Sequence, residues 1–281
     1  TPALATAKGE LERMEKLFKE SAGEGETFEA WDWWYYAEKV RQADYDLKEE
    51  EVRNYLSLDN VKGGIFFLCN RLYGITFRPL NAPVYHSECE VYEVLDSDDT
   101  PLGALYMDFH PRASKSGGAW CGAYVEQSYK DGKRVLPVVS IGCNFTRSVG
   151  NTPALLSIDE TETFFHEFGH ALHGIFAQGR YGSLTGTSVS RDFVELPPQI
   201  MENWAFEPEY LNSFAKHYQT GEPIPAELIE KVVAAKNYLA GYGQVRQLYF
   251  GYLDMAWHTL KEVPTMSTLE FEQQTLAPYA V

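Results

Sequence analysis

Apolar side chains recur at intervals of three or four positions through most of the first 75 residues, a spacing that predicts amphipathic helices. The clearest case is the segment 8–20, where Leu11, Met14 and Phe18 fall on one helical face. Similar spacing predicts further helices over residues 28–43, 47–56 and 58–73. For the last of these, Asp59 is the predicted N-cap, because a short acceptor side chain there can bind free backbone N–H groups.

The pattern changes at Phe77, after which β-branched and aromatic residues form shorter apolar runs. Such runs predict strands, and they cover residues 90–95, 102–109, 119–125 and 135–145. Clusters of Asp, Ser and Gly separate the runs, and one of them, Asp131-Gly132, is typical of a tight turn. Short strands joined in this way predict a small antiparallel sheet.

Helical spacing returns after Pro153 and continues to residue 207, interrupted by a loop rich in Gly, Ser and Thr. Ser157 and Glu160 match a capping box ahead of the first apolar run, and two more helices are predicted over residues 225–239 and 245–260. The chain is therefore predicted to be mainly α with a small antiparallel β-sheet, an α+β fold. We predict a single domain over residues 1–281, with a helical segment at 1–75, a sheet region at 76–150 and a helical region at 151–281.

The net charge excludes two classes of partner. The 281 residues include 24 Lys and Arg against 40 Asp and Glu, which gives a charge of −16. A chain this acidic repels phosphate groups, so neither nucleic acid nor an anionic membrane is expected as a partner. The longest apolar run, near residues 64–69, is also far too short to span a bilayer.

Cysteine usage favours a reducing compartment. The four cysteines include no Cys-x-x-Cys pair, which excludes a zinc ribbon and a thioredoxin-like motif. Scattered cysteines in apolar surroundings are typical of buried free thiols. We therefore expect a cytoplasmic location. A periplasmic one stays open, because the sequence starts at Thr1 without an initiator Met and an export signal could have preceded it.

One segment carries chemistry, and it reads FFHEFGHALHG over residues 164–174. His166, Glu167 and His170 match the His-Glu-x-x-His pattern, which on a helix places two imidazoles one turn apart on the same face. Both can bind one ion, whereas Glu167 points in a neighbouring direction and can reach a water on that ion. Imidazole and carboxylate donors with an open position favour catalytic Zn²⁺, although Mn²⁺ or Co²⁺ would accept the same donors. His173 lies about 10 Å farther along the axis than His166, too far for both to bind one ion. We expect it to support a ligand from behind, to face the substrate or to be a packing residue.

The third ligand is expected among three downstream carboxylates, Asp192, Glu195 and Glu202. The spacing favours a glutamate and leaves Glu195 and Glu202 as alternatives. Pro197 and Pro198 are tolerated only before a helix or in its first turn. Glu195 should therefore stand at or just before the start of a helix.

The motif FFHEFGHALHGIF, followed by GTSVSRDFVELPPQIMENWAFEP, resembles the thimet oligopeptidase (M3) family of zinc peptidases, and most of all its peptidyl-dipeptidase Dcp branch. Similarity to that branch extends over nearly the whole chain, through WDWWYYAEKVR, RLYGITF, GGAW, KRVLPVV and DMAWHTL. The resemblance implies a zincin-like catalytic domain with one Zn²⁺ bound by His166, His170 and Glu195. It also implies that Glu167 is the general base and that Glu202 lies beside a ligand histidine, which it orients.

The function implied by the resemblance is zinc-dependent hydrolysis of peptide bonds in short peptides, of the peptidyl-dipeptidase or oligopeptidase type. In this mechanism a metal-activated water attacks the scissile carbonyl. Glu167 takes the proton of that water and later passes it to the leaving amine. Short peptides are therefore the expected substrates and partners.

The chain departs from the family at the groups that stabilise the oxyanion. The family has a His, a Gly-rich turn and several tyrosines well downstream of the third ligand, and the sequence ends at Val281 without them. We interpret Tyr242, Tyr249 and Tyr252 as packing aromatics and not as replacements. The alternative function is therefore a zinc-binding but catalytically inactive fragment. We expect the chain to be the catalytic half of a longer polypeptide, whose remainder would be a partner.

Overall fold

The computed structural model of the chain describes residues 2–21, 23 and 25–281. Its helices are α1 (Pro2–Ser21), α2 (Trp33–Tyr45), α3 (Glu49–Arg53), α4 (Leu58–Tyr73), α5 (Ile158–Ile175), α6 (Leu196–Ala205), α7 (Pro208–Phe214), α8 (Ala226–Ala235), α9 (Ala240–His258) and α10 (Thr268–Leu276). Its strands are β1 (Thr76–Pro79), β2 (Glu90–Leu95), β3 (Pro101–Asp108), β4 (Trp120–Val125), β5 (Ser128–Lys130), β6 (Lys133–Val135) and β7 (Val138–Gly142). The chain divides into two compact units, one made of the residues up to Leu47 with those from Ala234 onward, the other of Lys48–Val233.

The first helices lie close to their predicted positions and differ mainly at their starts. α2 begins at Trp33 and not at residue 28, and α3 covers only five residues of the predicted segment 47–56. α4 has its predicted bounds, but its N-cap is Ser57, whose hydroxyl accepts a hydrogen bond from the backbone N–H of Asn60 at 3.3 Å. The prediction of Asp59 as the cap is wrong, because Ser57 has the extended backbone of a capping residue and Asp59 lies within the first turn.

The main sheet is mixed, so the prediction of an antiparallel sheet is wrong for one pairing. Its strand order is β1-β2-β3-β7-β4, and β3 runs parallel to β7 whereas the other neighbours are antiparallel. After β3 the chain forms β4 two positions away in the sheet. It then forms the β5–β6 hairpin and returns as β7, which occupies the position between β3 and β4. Because β3 and β4 run in opposite directions, any strand between them must be parallel to one of the two.

The core of the second unit lies between this sheet and α5. Phe164, Phe165 and Phe168 of α5 are fully buried. The Phe164 ring meets Phe109 edge to face, with 5.1 Å between the ring centroids, and Ile141 of β7 is buried in the same layer. Burying one such side chain contributes about 1.5–3 kcal/mol. Phe165 instead packs against α7. Contacts with the sheet and with α7 together fix the rotation of α5 about its axis.

α5 and α6 come into close backbone contact at Gly169. A Cβ placed there would lie 2.5 Å from the Cα of Pro198 and 2.9 Å from the carbonyl oxygen of Pro197, which is closer than a side chain tolerates. Glycine therefore allows the first turn of α6 to rest directly on the α5 backbone. The position of Glu195, the residue before α6, follows from this contact.

The first unit has a core of its own, made by α1, α2 and α9, which includes Met14, Phe18, Trp33, Tyr36 and Val40. Tyr242 packs on Trp33 with 4.2 Å between ring centroids. Tyr249 donates its hydroxyl hydrogen to the carbonyl of Tyr279, and Tyr252 stacks on the Tyr279 ring at 4.3 Å. These three tyrosines make the contacts of packing aromatics.

Two sequence expectations concern the whole chain. The four cysteines are free thiols. Across the part of the chain that the structure describes, no helix combines the length and the apolar content needed to cross a membrane. The division into the regions 1–75, 76–150 and 151–281 stays a prediction.

Candidate metal centre

The helix that carries the His-Glu-x-x-His motif begins with the predicted capping box. The Ser157 hydroxyl accepts from the backbone N–H of Glu160 at 2.9 Å, and the Glu160 carboxylate accepts from the backbone N–H of Ser157 at 2.8 Å. Two free N–H groups at the helix start are thereby satisfied. The motif therefore lies in the middle of α5, where the backbone is fully hydrogen-bonded.

The two histidines of the motif converge on a single carboxylate oxygen. The His166 and His170 rings lie 5.0 Å apart between centroids. The Nε2 atom of each ring is 3.2 Å from Oε2 of Glu195. Across the described residues, this trio is the group whose His, Cys and carboxylate atoms come close enough to share one metal ion.

Glu195 takes this position because it is the last residue before α6. Its carbonyl accepts from the backbone N–H of Gln199 at 3.0 Å, so the helix starts directly after it. Pro197 and Pro198 follow in the first turn, as their missing N–H groups require. Of the carboxylates that spacing left open, Glu195 faces the two imidazoles, whereas Asp192 is exposed and outside the converging group.

The spacing of these donor atoms fits a small divalent ion. A tetrahedral zinc site with bonds of about 2.0–2.1 Å places neighbouring ligand atoms about 3.3 Å apart. The two distances from Glu195 Oε2, to His166 and to His170, are both 3.2 Å. Two imidazoles with one carboxylate are also the donor set of many catalytic zinc sites with an open fourth position.

Glu202 lies on the other side of His166. The Nδ1–H of His166 donates to Oε1 of Glu202 at 2.6 Å. With the proton held on Nδ1, the lone pair of Nε2 faces the Glu195 side. The contact expected for Glu202 is therefore present, while its role in orienting a ligand stays a prediction.

Glu167 is buried beside the trio, with 5% of its surface exposed. Burial raises the pKa of Glu167 to about 7; His166 opposes this rise and the Glu195 carboxylate adds to it. Among the described residues, no group forms a hydrogen bond with its Oε2 atom. A carboxylate with this pKa can both take up and release a proton near neutral pH.

His173 lies one turn beyond His170 and outside the trio. Its ring packs edge to face against Phe193, with 6.2 Å between centroids, and it lines a cavity at the end of α5. Burial lowers the pKa of His173, which keeps the ring neutral at neutral pH. These contacts agree with a packing or substrate-facing residue and not with a third ligand.

Two supporting features have no signal in the local sequence. Arg134 of β6 donates from Nη2 to the carbonyl of Ala177 at 3.1 Å and reaches that of Ile175 at 3.5 Å, so it caps the carboxyl end of α5 from another element. β4 forms one edge of the main sheet. This edge strand contacts α5, which places it beside the helix of the motif.

Comparison with known proteins gives a consistent result. The sequence model of peptidase family M3 matches residues 2–279. The chain is 46% identical over 256 residues to the dipeptidyl carboxypeptidase of Salmonella typhimurium, which covers 90% of this chain and 37% of that protein. It is 41% identical over 273 residues to the dipeptidyl carboxypeptidase of Escherichia coli (96% of this chain, 40% of that protein) and 40% identical over 258 residues to oligopeptidase A of S. typhimurium (90% and 38%). The chain thus spans about two fifths of the length of these relatives.

Proposed function

The chain belongs to peptidase family M3, and we propose that it is a zinc-dependent metallopeptidase that cleaves short peptides, of the peptidyl-dipeptidase or oligopeptidase type. Relatives named dipeptidyl carboxypeptidase and oligopeptidase A support peptide hydrolysis. The observation that carries the proposal is the convergence of His166 Nε2 and His170 Nε2 on one oxygen of Glu195, at 3.2 Å each.

In this proposal His166, His170 and Glu195 hold one Zn²⁺, the metal on which the family generally depends. When bound, zinc would supply a Lewis acid that polarises a peptide carbonyl and lowers the pKa of water. Burial lowers the pKa of His170, which keeps that ring neutral and its Nε2 lone pair free near neutral pH. Glu202 holds the Nδ1 proton of His166, so that ring presents Nε2 in the same direction.

Glu167 is the proposed general base. The attacking water needs a group that accepts its proton, and the leaving amine needs one that returns it. The Glu167 carboxylate is buried beside the trio, and its pKa is raised to about 7 mainly by that burial. Its place beside the trio lets it take the proton of a water held there and return that proton to the amine.

The free edge of β4 is the proposed place for the peptide backbone. β4 pairs with β7 on one side and forms the edge of the sheet on the other. An extended peptide can hydrogen-bond to such an edge as an added strand. β4 also contacts α5, the helix that carries Glu167, so a peptide on this edge would pass beside that helix.

The test is digestion of short unblocked peptides by the zinc-loaded chain, followed by mass spectrometry. Loss of two residues from the carboxyl terminus would indicate a peptidyl-dipeptidase, and internal cuts an oligopeptidase. Glu167→Gln removes the base and spares the ligands, so we expect it to abolish cleavage, as a chelator would. Asp159→Asn, an exposed charge change in the first turn of the same helix, is the matched control and should retain activity.

The outcomes separate the proposal from its alternative. Cleavage that depends on both zinc and Glu167 would support the peptidase. One zinc per chain without cleavage would support the alternative, a zinc-binding but catalytically inactive chain. If the chain binds no zinc, both are overturned, since each requires the trio to hold the metal.

A further inference from the structure

The edge strand β4 contains a β-bulge that changes which face of the sheet its last residues point to. Ala123 lies opposite Val139 of β7. Two residues later in the strand, Val125 lies opposite Val138, so β4 has one extra residue at this place. Val139 faces α5, because its Cγ2 atom lies 3.1 Å from a Cβ placed at Gly174 of that helix. Residues directly opposite each other share a face of the sheet, so Ala123 points toward α5 as well.

The bulge directs Glu126, the residue after β4, toward α5. In a regular strand side chains alternate between the two faces, so Glu126 would lie on the face opposite to Ala123. Because of the bulge, Val125 shares the face of Val138, which is opposite to that of Val139. Glu126 therefore returns to the face that α5 covers. Bulges beside active sites commonly redirect a side chain in this way.

Contacts with the loop after α5 agree with this direction. The Cβ atom of Glu126 lies 3.3 Å from a Cβ placed at Gly182, and its Oε2 atom lies 3.7 Å from one placed at Gly186. The Cβ placed at Gly186 is itself 3.3 Å from the Cα atom of Gly174. Gly174 follows His170 by four residues, or about 6 Å along the helix axis. The Glu126 carboxylate therefore lies close to the turn of α5 that follows the second histidine of the motif.

Glu126 has no cationic partner in the part of the chain that the structure describes. Burial raises the pKa of Glu126, and no neighbouring cation opposes this rise. Other buried or partly buried carboxylates of the same sheet are paired, Glu90 with Lys62, Glu93 with Arg78 and Asp108 with Arg112. A partly desolvated carboxylate without a counter-ion is unfavourable. A cation that reached Glu126 from outside would relieve this cost through a charge-assisted hydrogen bond.

A peptide on the free edge of β4 would bring its amino-terminal part to Glu126. Antiparallel pairing is the more stable arrangement of two strands, and it places the amino-terminal part of the peptide at the carboxyl end of β4. Glu126 directly follows that end. An extended chain advances about 3.4 Å per residue, so the distance of about 6 Å between His170 and Gly174 corresponds to about two residues. The group that reaches Glu126 would thus belong to the second or third residue before the scissile bond.

We propose that Glu126 determines part of the substrate preference by binding a cationic group of the peptide two or three residues before the scissile bond. This group is either the side chain of a Lys or Arg residue or the free amino terminus of a short peptide, since each is a cation that donates hydrogen bonds to a carboxylate. The proposal rests on the proposed peptidase function and on the place of the peptide along β4.

The test is a series of pentapeptides in which the second residue before the cleaved bond is Lys, norleucine or Glu, each with a free or an acetylated amino terminus. Mass spectrometry identifies the cleaved bond. A cation should raise kcat/KM at least about threefold over the acetylated norleucine peptide, as expected for a partly solvated ion pair. An increase with Lys identifies the side chain as the bound group, and an increase on removal of the acetyl group identifies the amino terminus. The acetylated Glu peptide should be the poorest substrate.

Variants at this position separate the charge of Glu126 from its bulk. Glu126→Gln keeps the size of the side chain and removes its charge, so the preference for a cation should fall below about 1.5-fold. Glu126→Lys should reverse it in favour of the Glu peptide. The control is Asp131→Asn, which removes one negative charge from the exposed turn of the β5–β6 hairpin. Its φ of 51° suits Asn as well as Asp, and this variant should retain the preference of the parent chain.

A binding measurement separates this proposal from the proposed function. The same peptides are titrated into the zinc-loaded Glu167→Gln chain, with and without Glu126→Gln, and their affinities are measured by calorimetry. A preference for the cation that Glu126→Gln removes would support the proposal even if the parent chain cleaves no peptide. The absence of a preference, its persistence in Glu126→Gln, or an equal loss in Asp131→Asn would overturn it. Failure of every peptide to bind would overturn it as well.

Discussion

Replacing Glu202 tests how the candidate metal centre is held. Oε1 of Glu202 accepts from Nδ1–H of His166 at 2.6 Å and is not among the converging ligand atoms. Loss of this bond frees the ring to rotate and to exchange its tautomer. We expect Glu202→Ala to weaken zinc binding by about 10- to 100-fold, the usual effect of removing a carboxylate behind a ligand histidine. That range corresponds to about 1.4–2.8 kcal/mol of binding free energy.

Glu202→Gln gives a graded comparison. The amide oxygen can still accept from His166 Nδ1–H, but the negative charge is lost, and charge-assisted hydrogen bonds are roughly twice as strong as neutral ones. We therefore expect a loss of less than about tenfold, between the parent chain and Glu202→Ala. The measurement is competition for zinc with a chromophoric chelator at neutral pH, which requires no peptidase activity.

The control is Asp192→Asn, which removes one negative charge from the segment between α5 and α6. Asp192 is exposed and outside the converging group, so its charge is screened by solvent and we expect a change of less than about threefold. If Asp192→Asn weakened zinc binding as much as Glu202→Ala, the effect would be one of overall charge and the reasoning from the hydrogen bond would be refuted. Parental zinc affinity in a folded Glu202→Ala chain would refute it too.

Two further predictions concern stability. Burial raises the pKa of Glu167 from 4.5 to about 7, so the metal-free folded chain favours the protonated carboxyl. The stability that this protonated carboxyl gives to the folded chain is fully present below about pH 4.5 and is lost as the pH rises through about 7. Glu167→Gln should remove this loss of stability, which is worth up to about 3 kcal/mol. The measurement is the free energy of urea unfolding of the metal-free chain across this pH range, and equal pH dependence in the parent and variant chains would contradict the prediction. Gly169→Ala should cost about 1–3 kcal/mol and weaken zinc binding, since its Cβ would lie 2.5 Å from the α6 backbone. The control is Gly243→Ala, inside α9, where the added Cβ meets open space, and it should stabilise the chain by up to about 1 kcal/mol. If Gly169→Ala kept the stability and zinc affinity of the parent chain, α6 would be able to move without cost and the prediction would be wrong.

The parts of the structure that sequence could predict are those set by near neighbours in the chain. The capping box of Ser157 and Glu160 and the helical face of His166 and His170 each depend on residues within four positions of one another. Their hydrogen bonds and side-chain directions follow from helix geometry alone. The predicted start of α5 and the pairing of its two histidines were therefore reliable.

The parts that could not be predicted depend on distant segments. The parallel pairing of β3 with β7 follows from where the chain returns after the β5–β6 hairpin. The alternation of apolar and polar residues within a strand does not indicate which neighbour that strand pairs with. Arg134 caps α5 from 41 residues before Ile175, outside any local capping pattern. The predicted N-cap of α4 was wrong for a different reason. Ser and Asp are both favourable N-cap residues, and only the backbone conformation distinguishes Ser57 from Asp59.

The choice between Glu195 and Glu202 shows how a distant contact completes a local motif. Seven residues separate the two, about 10 Å along a helix axis, so spacing alone places both on one side of α6. The close contact at Gly169 sets α6 against α5 so that Glu195 reaches the Nε2 side of His166 and Glu202 the Nδ1 side. The His166 imidazole thus lies between Glu195, at the start of α6, and Glu202, within α6. The packing of α6 on α5 therefore determines the geometry of the candidate metal centre as directly as the motif does.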